Sequence, residues 1–180
     1  MNPVIITILT IIIIIAILFM FYITNYNKLL YYKKRVEHAE SVILEELNVR
    51  YELVTKTRKT IEKNTKMDLD IYDNLDKSKS AQTNIVDYEK ELTNAIQTIY
   101  LVTNDYPKLQ EKKEFKKILR ELNESDTKID AAKAYYNDNN SNLISLIKSF
   151  PSNIIALIHK IKSKPFYEAK EIFTEKDDVI

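Results

Sequence analysis

The stretch SLIKSFPSNIIALIHK, residues 145–160, joins two apolar runs across a Phe-Pro-Ser-Asn break. Leu143 and Ile147 on one side, and Ile154, Leu157, Ile158 and Ile161 on the other, recur at the three- and four-residue steps of a helix face. Pro151 disfavours the helical conformation at Phe150, which ends the preceding helix by Ser149. Proline is accepted in a first helical turn, and Ser or Asn caps one. Two readings compete: a loop that clamps a ligand, and a corner joining a long helix to a short one that packs back. Turn chemistry from Pro and Asn is sufficient for the corner. It places Ile154, Leu157, Ile158 and Ile161 on one packed face.

Working outward, the rest of the chain also reads as helices separated by breaks. It has 180 residues, with 27 basic and 26 acidic side chains, no Gly and no Cys. The absence of Cys removes disulfides, thiolate nucleophiles and thiolate metal sites. The absence of Gly excludes P-loops and dinucleotide fingerprints, where the backbone must approach phosphate or take positive φ. It also argues against hairpin-rich sheets. A formal charge of +1 exerts no general pull toward nucleic acid.

Residues 4–24, VIITILTIIIIIAILFMFYIT, carry no charge. As a helix they span about 30 Å, the thickness of a bilayer core. A cleaved signal peptide needs a basic start, a shorter apolar run and small residues at a cleavage site, and none of these is present. The reading is an uncleaved transmembrane helix behind a short extracytoplasmic segment, residues 1–3. Lys28, Lys33, Lys34 and Arg35 follow the span, so the positive-inside rule places residues 25–180 in the cytoplasm. Tyr22, Tyr26, Tyr31 and Tyr32 fit a headgroup-level aromatic belt.

No proline interrupts the chain between Pro3 and Pro107, so the anchor is expected to continue as one helix. Val36, Glu40, Ile43, Leu47, Arg50, Val54, Thr57 and Ile61 form a heptad seam with two charged members. Ile85, Tyr88, Leu92, Ala95, Ile99 and Val102 mark a second helix, stopped at Tyr106-Pro107. Phe115, Ile118, Leu122, Ile129, Ala132, Tyr136, Leu143 and Ile147 mark a third, from about Glu111 to Ile147, with a polar interruption at NDNNSN. The fold class is all-α: a transmembrane helix followed by an antiparallel four-helix bundle over residues 25–163, then a polar tail over residues 164–180.

Several motifs resemble the LemA family. They are Tyr26-Asn27, the RVEHA run with Arg35, Val36 and Ala39, and Arg50-Tyr51 in RYEL. Tyr106 and Pro107 in DYPKL, with Phe115, match a further element. ELNESDTKIDAAKAYYN, with Tyr135, Tyr136 and Asn137, SFPSNIIA, with Phe150 and Pro151, and KPFYEA complete the likeness. The sequence departs from the family pattern at Glu40, at residues 54–57 and at Leu143-Ile144. The resemblance implies a bacterial membrane-anchored helical bundle with a short N-terminus outside. It implies no established enzymatic activity, and for some members a link to membrane-organelle formation or envelope maintenance.

The residues themselves offer little chemistry. Inward-facing Glu-x-x-His pairs would mark a carboxylate-bridged metal site, but Arg35 and Ala156 stand three residues before the two histidines, His38 and His159. Asp68, Asp70, Asp73 and Asp76 lack the Gly turn and terminal Glu of a calcium loop. Glu40 and Arg50 must be paired or reach solvent if they face the seam, and Asp126 or Glu121 is the expected partner of Arg50. No catalytic residue, metal site, cofactor or small-molecule substrate is assigned. The functional expectation is a scaffold at the cytoplasmic face of the inner membrane. Its partners are the lipid bilayer and membrane-associated proteins, or further copies of the chain, with no nucleic acid. The alternatives are an accessory subunit of a membrane enzyme or protease, and a lipid-surface-binding protein.

Overall fold

The computed structural model describes residues 3–65, 75 and 85–167, which are helical apart from short connections. The helices are α1 (Pro3–Thr65), α2 (Ile85–Asp105), α3 (Pro107–Gln110), α4 (Lys113–Lys148) and α5 (Ser152–Ile158). Two compact units are present. One is His38–Ala134; the other combines Met1–Glu37 with Tyr135–Ile180, so α1 and α4 each contribute to both.

In the His38–Ala134 unit, α1 buries Ile43, Leu47, Val54 and Ile61, α2 buries Leu92 and Ile99, and α4 buries Phe115, Ile118, Leu122 and Ile129. Each such side chain removed from water contributes about 1.5–3 kcal/mol before the cost of ordering it. Helix directions follow from the contacts. Asn64 meets Lys112, Arg50 meets Asp126 and Glu46 meets Lys128, so α4 runs antiparallel to α1. Glu89 near the start of α2 meets Lys133 in the second half of α4, and the end of α2 leads through α3 into the start of α4, so this pair is antiparallel too.

The expected seam holds with one correction. Glu40 is only half-buried, and Ala39, 2% exposed, takes the interior place between Val36 and Ile43. A step of three then four, instead of four then three, keeps the carboxylate at the edge, where a charge need not be desolvated.

α2 ends at Asp105, and Tyr106 precedes the proline that opens α3, as proline chemistry requires. Leu109 and Phe115 are buried at this bend, while Tyr106 is partly exposed.

In the other unit, α1 buries Leu29 and Val36, and α4 buries Tyr136, Asn139, Asn140 and Leu143. Helix α4 continues through NDNNSN without interruption. It ends at Lys148, and α5 departs at 97° after the Phe150–Pro151 corner, whose peptide bond is cis.

The face of α5 is the main correction. Ser152, Ile155 and Ala156 are buried, whereas Ile154, Leu157 and Ile158 are 49%, 81% and 63% exposed. Ile161 alone of the four expected core residues is buried. The Ser152 hydroxyl donates to Asn25 Oδ1 at 2.9 Å, which turns that side of the helix inward. The run Ile154-Ile155-Ala156-Leu157-Ile158 is apolar on every side, so periodicity alone does not choose its face.

Helix α5 is closed by a Schellman motif: Ile161 N–H donates to Ala156 O and Lys160 N–H to Leu157 O. Lys160 takes the left-handed position, φ 51°, where glycine would be free of strain.

Candidate functional site

The densest polar arrangement lies where α1 meets the C-terminal part of α4 and the segment after α5. Arg35 is held between two aromatic faces: its guanidinium carbon sits 4.5 Å from the Tyr31 ring centre and 5.5 Å from that of Tyr135. Tyr31 is one helical turn back on α1, the spacing that brings side chains together. Arg35 also donates to Asn139 Oδ1 at 3.5 Å. The cation is thus held by quadrupoles and an amide, each cation–π contact worth about 0.5–1 kcal/mol at a partly exposed site.

On the same part of α4, two asparagines bind backbone. Asn137 donates from Nδ2 to the carbonyl of Tyr167 at 2.8 Å and accepts from the Tyr167 N–H at 2.9 Å. Asn140 repeats the pattern with Lys164, at 2.6 Å and 3.4 Å. The Tyr136 hydroxyl donates to Pro165 O at 3.0 Å, and its ring meets Tyr167 edge-on at 4.7 Å. A carboxamide carries one donor and one acceptor side by side, the same pair that a residue presents in a strand. Residues 164–167 are therefore pinned. The stretch read from the sequence as the start of a polar tail is thus fastened at its first residues, by Tyr167 against Tyr136 and by two amides of the polar run NDNNSN. Residues 168–180 lie outside the described residues.

Closer to the apolar segment, His159 and Tyr22 share a hydrogen bond of 2.7 Å, and the imidazole lies 4.5 Å from the Tyr26 ring. Tyr22 and Tyr26 stack in parallel planes. Asn27 lines a solvent-open groove of about 630 Å³ with Lys28, Tyr31, Tyr32 and Asn142. Phe150 is 79% exposed and has no share in these contacts.

The His38–Ala134 unit contains a second set of polar groups, in its interior. Arg50, 4% exposed, donates from Nη1 to Asp126 at 3.0 Å, one of its two expected partners. Its Nε and the Oε2 of Glu46, one turn away, are buried without hydrogen-bond partners. Glu46 also pairs with Lys128 at 3.2 Å, and Lys133 with Glu89 at 2.6 Å, both side chains of the latter pair nearly enclosed. The Tyr88 hydroxyl donates to Asn48 at 3.4 Å. Burial, and secondarily the neighbouring Tyr51 phenol, pushes Tyr88 up to about 12. This set couples α1, α2 and α4 by charge, and a cation desolvated beside its anion imposes register as well as energy.

Among the described residues no three His, Asp or Glu side chains come together in a way that would hold a metal ion. His38 is exposed, and the Asp68, Asp70, Asp73 and Asp76 group lies outside the described residues.

Residues 39–179 match the family model for LemA. The chain belongs to the LemA family. No curated protein matches it. Within the LemA match fall the buried Ala39, Arg50 and Phe115, the half-buried Tyr51, the Tyr106-Pro107 bend, the Tyr135–Asn137 group and the Phe150-Pro151 corner. Tyr26, Asn27, Arg35 and Val36 precede it. Sequence reasoning missed Asn25, Asn139, Asn140 and Ser152 as structural polar groups. For the two amides the available signal was their position on the face defined by Tyr136 and Leu143.

Proposed function

We propose that this LemA protein is a single-pass, membrane-anchored interaction module. Its N-terminal end lies outside, and its helices are held at the cytoplasmic face of the cell's inner membrane. It works by contact with membrane-associated proteins or further copies of itself, not by turning over a substrate. The observation that carries this reading is the start of α1. Its most apolar 18-residue window has a mean hydropathy of 3.3 and is wholly unburied by the rest of the chain. Isoleucines exposed in such a run would be insoluble in water and are at rest in lipid, where a helix satisfies its own backbone. The basic residues after the span support the orientation. The interior ion pairs and the asparagine fastening support a role in which shape is held while surfaces do the work. Anchoring raises the effective concentration of such surfaces for other membrane components.

A C-terminal reporter active only in the cytoplasm tests the orientation, and a reporter active only outside must stay silent. Contact is tested by photo-crosslinking the full chain in its native membrane. Discrete adducts are expected, and turnover of a substrate by the purified chain would refute the reading.

A further inference from the structure

The Phe150–Pro151 corner and α5 have an outer face with no use in packing. Phe150, Ile154, Leu157 and Ile158 are exposed at 79%, 49%, 81% and 63%. Four large apolar side chains on nine residues of corner and helix, 150–158, would form a costly patch in water. Two contacts fix its level along α1. Ser152 bonds Asn25 and His159 bonds Tyr22, so α5 is tied to the point where the apolar run ends. The flank has one sign of charge. Residues 139–167 contain Lys148, Lys160, Lys162 and Lys164 and not one Asp or Glu, and all four lysines are exposed.

We propose that this face is a second membrane-contact site: Phe150, Ile154, Leu157 and Ile158 insert into the interfacial layer of the bilayer that α1 crosses, with the lysines on anionic headgroup phosphates. The inference rests on the membrane reading above and deepens it. A protein groove would explain the apolar residues. It would not explain their being tied level with the end of the span, nor a basic flank without acids, which is the complement of an anionic lipid surface. Helix α5 adds nothing to membrane residence, because a transmembrane helix is already retained almost irreversibly. It supplies orientation. A lone span is free to rotate and tilt, and a wedge at right angles to α4 sets which side of the chain turns toward the membrane.

The test uses the full chain, which has no cysteine of its own, in nanodiscs holding one copy each. Single replacements Ile13→Cys, Leu157→Cys, Phe150→Cys and Glu37→Cys each carry one environment-sensitive fluorophore, read against lipids bearing quenchers at shallow and deep acyl positions. Labels at residues 157 and 150 are expected to shift to the blue and lose most of their emission to shallow quenchers. The label at residue 13 should respond to deep quenchers and the one at residue 37 to neither. Replacing anionic with zwitterionic lipid should weaken the shallow quenching. If residue 13 is quenched while 150 and 157 behave like 37, the corner does not touch lipid and the proposal fails with the membrane reading intact. If residue 13 is not quenched either, the membrane reading fails first. If residues 150 and 157 become shielded only in discs holding two copies, the face is a self-association surface and the proposal is wrong.

Discussion

Arg50 and Asp126 form an ion pair of unequal depth: the arginine side chain is 5% exposed, its aspartate partner 36%. Removing one partner therefore differs from removing the other. Asp126→Ala strands a buried guanidinium whose Nε already lacks a partner. It should cost about 3 kcal/mol, the range for an uncompensated buried charge. Arg50→Met leaves a carboxylate that water reaches, and keeps most of the volume, so about 1 kcal/mol is expected. Denaturant melts of the detergent-solubilised chain decide the order. Equal losses would mean that depth does not govern the pair.

Tyr88 predicts an alkaline limit. Between pH 10 and about 12 the unfolded phenol ionises while the folded one keeps its proton. The folded state then binds more protons, so stability falls as pH rises through this window, and the residue contributes no slope below it. The loss should be shallower in Tyr88→Phe. Melting temperatures of both chains from pH 9 to 11.5 give the comparison.

The asparagine fastening predicts a sharp response to a change of one atom. Asn140 is wholly buried, and its amide both gives and accepts a bond with Lys164. Asn140→Asp removes the donor and sets a carboxylate against a carbonyl, a loss of about 2–3 kcal/mol at neutral pH. Hydrogen exchange at residues 164–167 should rise far more than in α2. Unchanged protection there would show that the fastening is not held by these bonds.

Lys160 offers a gain. Its left-handed backbone costs a residue with a β-carbon about 1 kcal/mol. Lys160→Gly should recover a similar amount less the greater freedom glycine gives the unfolded chain, for a net gain of a few tenths of a kcal/mol. A drop in melting temperature would mean that the lysine side chain contributes more than its backbone costs.

Much of this was legible because helix periodicity records which side is buried when apolar and polar residues alternate. Ile43, Leu47, Val54 and Ile61 lie in the interior where the spacing put them, and Pro107 and Pro151 mark the breaks. A buried arginine requires a carboxylate, and the family-like motif narrowed the partner of Arg50 to Asp126 or Glu121, of which Asp126 makes the bond. What was not legible has two physical causes. Residues 154–158 of α5 are apolar all round, so their buried side is chosen by the bond between Ser152 and Asn25, 127 positions apart in sequence. Asn139 and Asn140 are buried because their amides are satisfied locally or by residues 24 positions later, and polarity alone gives no sign of that. Glu40 erred by one residue because Ala39 packs equally well at the same turn.

The bonds from Asn137 and Asn140 all end on main-chain atoms of Lys164 and Tyr167. Such a clasp reads the chain's direction and spacing but not the side chains at the two positions it grips. Mutational tolerance should therefore be lopsided: Lys164 is open to most residues that keep an N–H, while its asparagine partner is open to almost none. Proline at residue 164 or 167 would break the clasp as surely as losing an amide, since each position must offer a hydrogen. A saturation scan would then show two frozen letters on the helix facing a permissive Lys164, with Tyr167 constrained for a separate reason, the edge of its ring against Tyr136.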